Sequence, residues 1–67
     1  MRSDLIDISG VLHHQTDAAI LFSETGEEGE AVWLPKSVVE VEAIDPKRPD
    51  YVTVTLPERW ARDKGLI

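Results

Sequence analysis

The chain contains no cysteine, and this absence narrows the kinds of site it can form. Without cysteine there is no disulfide framework and no thiolate metal site, and the composition fits a reducing compartment. Long apolar runs are missing as well, and Met1 to Asp4 lead directly into alternating polar and apolar residues. We therefore expect neither a signal peptide nor a membrane span, and we expect a cytoplasmic protein.

Basic residues are few. Seven lysines and arginines stand against 13 aspartates and glutamates, and the net charge is −6. Residues 1–45 carry ten acids and two bases, a balance of −8, whereas residues 46–67 carry five bases and three acids, a balance of +2. An acidic surface attracts basic proteins and repels phosphate backbones. The simpler interpretation is that this charge keeps a small domain soluble.

With 67 residues, the chain is expected to be a single domain spanning residues 1–67. This length is near the lower limit at which one hydrophobic core outweighs the entropy cost of ordering the backbone. The chain has only two tryptophans, one tyrosine and one phenylalanine. We therefore expect Trp33 and Trp60 to be structural core residues that hold the fold together.

Five short segments have the patterns of β-strands. Gly10 interrupts the first segment, where we expect a bulge or a sharp bend, and Ala18 to Phe22 is apolar on both faces and should be the most buried strand. Pro35 cannot donate to a β-ladder, so the segment Ala31 to Ala43 should break there. The predicted strands lie in residues 4–12, 18–22, 51–56 and the two parts of 31–43.

Glycines, prolines and a capping pattern mark the connections and one helix. Gly26 and Gly29 lie in the acidic segment 23–30, where positive φ angles favour a hairpin loop. Thr55-Leu56-Pro57-Glu58 has the spacing of a capping box and predicts a short C-terminal helix. Gly65 is expected to end this helix in a left-handed conformation, with Leu66 closing back on its last turn.

These elements predict a mainly β fold. We expect a small, strongly curved antiparallel sheet, or a partly open barrel of SH3-like or OB-like kind, with about five short strands and one short C-terminal helix. The alternative architecture is an α+β arrangement, an open antiparallel sheet with the helix across one face.

Three segments of the chain carry a distinctive pattern: Ala18-Ala19-Ile20-Leu21, Trp33-Leu34-Pro35-Lys36-Ser37 and Val54-Thr55-Leu56-Pro57-Glu58, the last followed by Trp60-Ala61 and Lys64-Gly65-Leu66. Together they resemble a group of small uncharacterised bacterial and phage-borne proteins with a WLPKS-type core and a terminal LPEWLA..KGL-type helix. In this chain the second tryptophan lies one place later, within Glu58-Arg59-Trp60-Ala61. The resemblance covers most of the chain from Ala18 onward and implies a prophage or mobile-element context, but no catalytic activity.

Few residues have the spacing of a catalytic or metal site. His13, His14 and Asp17 are close in sequence, but adjacent histidines on an extended chain point to opposite sides and suit neither a shared metal nor a proton relay. Ser37 follows Lys36, but a nucleophile also needs a positioned base, an oxyanion hole and a pocket. We therefore expect a protein that is not an enzyme and that uses no metal and no cofactor.

The hypothesis we favour is a protein-binding module that engages a basic partner through negative charge. In the mobile-element context, it would be an accessory or counter-defence inhibitor of a host nucleic-acid-handling complex such as CRISPR, with carboxylates standing in for phosphates. The predicted binding residues lie in the acidic hairpin and on a strand face: Glu24, Glu27, Glu28, Glu30, Glu40 and Glu42.

The alternative is a nucleic-acid-binding β-barrel with aromatic side chains as stacking platforms. The platform residues would be Trp33, Tyr51 or Trp60, and the cations on the nucleic-acid backbone would be Lys36, Arg59, Arg62 and Lys64.

The sequence is compatible with a monomer or a homodimer. Val38 and Ile44 are apolar on an otherwise polar strand face, and they would either form an extra core layer in a monomer or line a dimer interface.

Overall fold

A computed structural model of the chain describes residues 4–67 and confirms the predicted mainly β fold. Five antiparallel strands form one open sheet, and one short helix follows the last strand. The sequence-based expectation about a signal peptide rests partly on residues 1–3, outside the described residues. The elements are β1 (Leu5–Gln15), β2 (Ala19–Ser23), a 3₁₀ turn (Glu28–Glu30), β3 (Val32–Pro35), β4 (Glu40–Ala43), β5 (Tyr51–Pro57) and α1 (Glu58–Asp63).

The strand order is β3-β2-β1-β5-β4, so β1 is the central strand. Its first part, Leu5 to Val11, pairs with β5, and its second part, Val11 to Gln15, pairs with β2. Of the β1 residues, only Val11 pairs with a residue of β5 and a residue of β2. A strand that changes neighbours halfway is typical of a sheet that folds over on itself, and β1 extends past the predicted end at Leu12 because the histidines continue the ladder.

The connection between the two edge strands shows how strongly the sheet curves. Pro35 lies near the Gln15 end of β1, and Glu40 lies beside Thr55, which pairs with Asp7 near the other end. In a flat sheet, their Cα atoms would be about 30 Å apart. A turn closed by the Val38 N–H on the Pro35 carbonyl, 3.1 Å, limits this separation to about 15 Å. The sheet must therefore curl.

Gly10 and His13 allow β1 to bend in this way. A Cβ atom at Gly10 would lie 2.3 Å from the Ser23 carbonyl oxygen and 2.8 Å from the Phe22 ring, so only glycine lets the two strands approach this closely. The bulge expected near Gly10 occurs three residues later, where His13 is inserted between the Leu12 and His14 pairs. The extra residue increases the local twist of the strand.

The core lies on the concave side of the sheet and corrects the prediction for Trp33. Ile20 and Leu34 are opposite each other and buried, so Trp33 must face the other way, and this residue is 46% exposed. Trp60 is half-buried and packs against the edge of the core. The core residues are Ile8, Ile20, Phe22, Leu34, Val39, Val52, Val54, Leu56, Ala61 and Leu66.

The C-terminal helix ends as expected but begins differently. Gly65 has a φ of 76°, and the Leu66 N–H donates to the Ala61 carbonyl at 2.8 Å, which confirms the left-handed stop and the closing contact. The capping-box prediction was wrong. Thr55 is still in β5 and donates its hydroxyl to the Asp7 carboxylate, 2.5 Å, because the strand continues to Pro57.

The loop between β2 and β3 is a hairpin connection, as predicted, but only one of its glycines has a positive φ. Gly26 has a φ of 86°, whereas Gly29 lies in the 3₁₀ turn with an ordinary backbone conformation. Across residues 4–67, no helix has the length and apolar character needed to cross a bilayer.

Candidate protein-binding surfaces

The acidic hairpin, defined here as residues 24–30 between β2 and β3, projects its carboxylates into solvent. Glu24, Glu27, Glu28 and Glu30 are all exposed. Glu30 accepts a hydrogen bond from the Thr25 hydroxyl at 2.7 Å, and this bond spans the base of the loop. The four carboxylates predicted from the sequence are therefore presented together on one short connection.

A buried hydroxyl anchors the acidic hairpin to the sheet. Ser23 is 1% exposed, and its Oγ accepts a hydrogen bond from the Gly26 N–H at 3.1 Å. The same Oγ is 2.7 Å from Nε2 of His13, the bulged residue of β1. The hairpin thus starts from a fixed point although its tip is solvated. The sequence alone did not indicate this role for His13.

Trp33 lies on the outer face of the same hairpin. It is opposite Leu21, and the His14 ring meets the indole edge-on, with ring centroids 6.2 Å apart. The outer face of β2 and β3 therefore displays an exposed indole beside a half-buried leucine. Large aromatic side chains are frequent at the energetic centres of protein interfaces. Alternation along β3 indicated two faces but did not show which one the core covers.

The second acidic surface, the β4 face, is formed by Glu40 and Glu42. Both are exposed and lie directly opposite Thr55 and Thr53 of β5. Next to them on β1 lies Asp7, which accepts the Thr55 hydroxyl. This outer face is polar across three strands, as the alternation in residues 39–43 predicted for the two glutamates.

The basic candidates are distributed over separate parts of the fold. Arg59 and Arg62 line one open depression of about 240 Å³ together with Asp4 and Glu58, and Arg62 forms an ion pair with Glu58 at 2.7 Å. Lys36 lies in the turn between β3 and β4. These cations are accompanied by carboxylates or separated from one another.

Lys64 lies next to the acidic hairpin. It lines an open depression of about 350 Å³ with Glu24 and Glu30, so the expected separation of charge is incomplete here. The Lys64 ammonium also lies over the Trp60 ring, 5.9 Å from the centroid. Charge counted along the chain could not show this proximity, because Lys64 is distant in sequence from Glu24 and Glu30 and the tertiary fold brings them to one depression.

The proposed stacking platforms differ in how accessible they are. Tyr51 is half-buried beneath the Arg48 guanidinium, 5.1 Å from the ring centroid, and Trp60 is half-buried beneath Lys64. Of these three rings, only Trp33 is exposed. The aromatic and basic side chains required by the nucleic-acid alternative therefore do not form one continuous surface.

The histidines have separate neighbours, His13 at Ser23 and His14 at Trp33. Within residues 4–67, no group of three or more histidine, aspartate or glutamate side chains has the arrangement of a metal site. Ser37 and Lys36 lie in an exposed turn.

The fold and these surfaces define a small acidic β protein with a solvated hairpin and an exposed indole. Comparison with protein-family models, with curated proteins and with solved structures finds no match to this chain.

Proposed function

We propose that this protein is a non-enzymatic binding module that engages a basic surface of a protein partner through the acidic hairpin and the β4 face. The observation that carries the proposal is the exposure of all six predicted carboxylates. Within residues 4–67, the ion pair of the structure joins Arg62 to Glu58 and involves none of the six. The charge of the six is therefore not taken up by that ion pair, and Lys64 is the cation that lies beside two of them, Glu24 and Glu30.

Trp33 adds an anchor to this electrostatic surface. A rim of charge mainly speeds association, whereas a buried aromatic side chain mainly slows dissociation. Trp33 and the acidic hairpin belong to the same β2–β3 unit. A partner that approaches the carboxylates would thus meet the indole close by. In this proposal Trp33 is a binding residue instead of a core residue.

A finer version of the proposal concerns the kind of partner. A protein surface that normally binds nucleic acid is rich in lysine and arginine. Carboxylates held on a hairpin can occupy the positions of phosphates on such a surface. Together with the sequence resemblance described above, this favours a phage-borne inhibitor of a host nucleic-acid-handling complex, for which a CRISPR effector is one example.

The proposal is tested by reversing charge at the hairpin tip. We expect Glu27→Lys combined with Glu28→Lys to reduce capture of a partner from a nuclease-treated bacterial lysate. With the captured protein purified, the association rate constant should fall about tenfold, the dissociation rate should change little, and binding should weaken as NaCl is raised. Trp33→Ala should instead raise the dissociation rate.

The matched control is Asp17→Lys with Asp63→Lys, which changes the net charge equally at two exposed positions outside the hairpin. Capture that is identical for the hairpin variant and the control would contradict the proposal. Binding that disappears after nuclease treatment, together with a mobility shift of single- or double-stranded probes at low salt, would support the nucleic-acid alternative instead.

A further inference from the structure

The edge strand β4 is exposed along its whole length. All four residues, Glu40 to Ala43, are exposed, and the strand has a neighbour only on the β5 side. An uncovered edge strand presents backbone donors and acceptors that another strand can use. Four residues are enough for a short ladder.

Hydrogen bonds at the ends of β5 show which β4 residues have free backbone groups. The Glu58 N–H donates to the Asp4 carbonyl, and the Asp50 carbonyl accepts from the Leu12 N–H, so the backbone N–H and C=O groups of the even-numbered residues of β5 point towards β1. The backbone groups of Thr53 and Thr55 therefore point towards β4 and bond to those of Glu42 and Glu40, their partners there. It follows that the N–H and C=O groups of the intervening residues, Val41 and Ala43, point away from the sheet.

The side chains of β4 have a matching alternation. Val41 is opposite the buried Val54 and so lies on the core side of the sheet, yet it is 42% exposed because no further strand covers it. Glu40 and Glu42 lie on the outer side. An added strand would therefore meet apolar surface on one face and negative charge on the other.

We propose that β4 binds an extended segment of the partner as a sixth strand, and that this segment alternates lysine or arginine with small apolar residues. Its basic side chains would lie beside Glu40 and Glu42, and its apolar side chains would cover Val41. A second copy of this chain is disfavoured, because pairing two β4 strands would bring their glutamates together. This inference rests on the proposed function and specifies how part of the surface acts.

The test uses an eight-residue acetylated and amidated peptide of alternating lysine and valine. Its control is a block peptide of four lysines followed by four valines, with the same composition and charge. We expect the alternating peptide to bind about tenfold more tightly. On binding, amide hydrogen exchange should slow at Val41 and Ala43, whereas Glu40 and Glu42, already bonded to β5, should change little.

Substitutions separate backbone pairing from charge. Val41→Pro removes a donor at the free edge without breaking the β4–β5 ladder, and it should weaken binding of the alternating peptide about tenfold, while Val41→Thr should not. Glu40→Gln with Glu42→Gln should weaken binding and reduce its salt dependence. The slowed amide exchange at Val41 and Ala43 of the wild-type protein tests the proposal even if the proline variant unfolds.

Equal binding of the two peptides, or unchanged exchange at Val41 and Ala43, would overturn strand addition at β4. If, in that case, hairpin charge reversal still reduced partner capture, the proposed function would stand without this inference. If hairpin reversal also had no effect, both proposals would be wrong.

Discussion

At the scale of single residues, the two tryptophans have different environments although the sequence suggests the same role for both. Trp33 faces away from the core because its neighbour Leu34 faces into it. Trp60 packs against the core from α1. An indole supplies a large apolar area, but it stabilises the fold only where that area leaves water. The Trp33 indole therefore stays exposed to solvent, whereas Trp60 helps to hold the helix on the sheet.

We expect Trp60→Ala to lower the free energy of unfolding by about 2–3 kcal/mol and Trp33→Ala by less than about 1 kcal/mol, because only the first removes substantial packing against the core. Urea titration followed by far-UV circular dichroism measures both values. Acrylamide quenching of the remaining indole provides a control, since Trp33 should be quenched more readily than Trp60. Equal losses of stability would show that Trp33 is packed in solution.

At the scale of elements, β1 determines how the sheet curves. The first part of β1 pairs with β5 and its second part pairs with β2, and the change of partner strand occurs at Val11, next to Gly10. The bend brings the backbone of Gly10 against Ser23, at the start of the acidic hairpin. Curvature and placement of the hairpin therefore depend on the same close contact.

Gly10→Ala is expected to destabilise the protein by about 3 kcal/mol, because the new methyl group would meet the Ser23 backbone and the Phe22 ring. Gly29→Ala is the matched control. No heavy atom lies within 4 Å of its added Cβ, and its φ is not positive, so the change should stay within about 0.5 kcal/mol. Thermal and urea unfolding measure both variants. Similar stabilities would contradict the close approach of β1 and β2.

The positions of the strands and the end of the helix follow largely from short-range sequence patterns. Period-two alternation predicted the strands, Pro35 predicted where β3 ends, and Gly65 predicted the helix stop, because these depend on local backbone geometry. The capping box failed because pairing with β1 keeps Thr55 in a strand. A ladder formed with a distant segment outweighed the local preference for a helix start.

At the scale of the whole molecule, excess negative charge opposes folding. The chain has 13 acids and seven bases, and the four glutamates of the hairpin lie close together in sequence. Like charges brought together on folding repel one another, and dissolved salt screens this repulsion. The net negative charge of the folded chain therefore lowers its stability.

We expect the melting temperature to rise by about 4–8 °C when NaCl is increased from about 10 mM to 0.5 M, a change of about 1 kcal/mol for a domain of this size. The variant with Glu27→Lys and Glu28→Lys should show a smaller rise, because part of the repulsion has been removed. Differential scanning calorimetry measures both. A melting temperature that falls with salt would indicate that favourable ion pairs dominate instead.

The amino-acid sequence by itself determined the β content, the turns, the acidic hairpin and the end of the helix, since these depend on neighbours within a few residues. The tertiary structure alone decided that Trp33 is exposed, that β4 is an uncovered edge and that Lys64 lies beside Glu24 and Glu30. Alternation shows which residues share a face of a strand, but packing between distant segments decides which face is buried and which charges become neighbours.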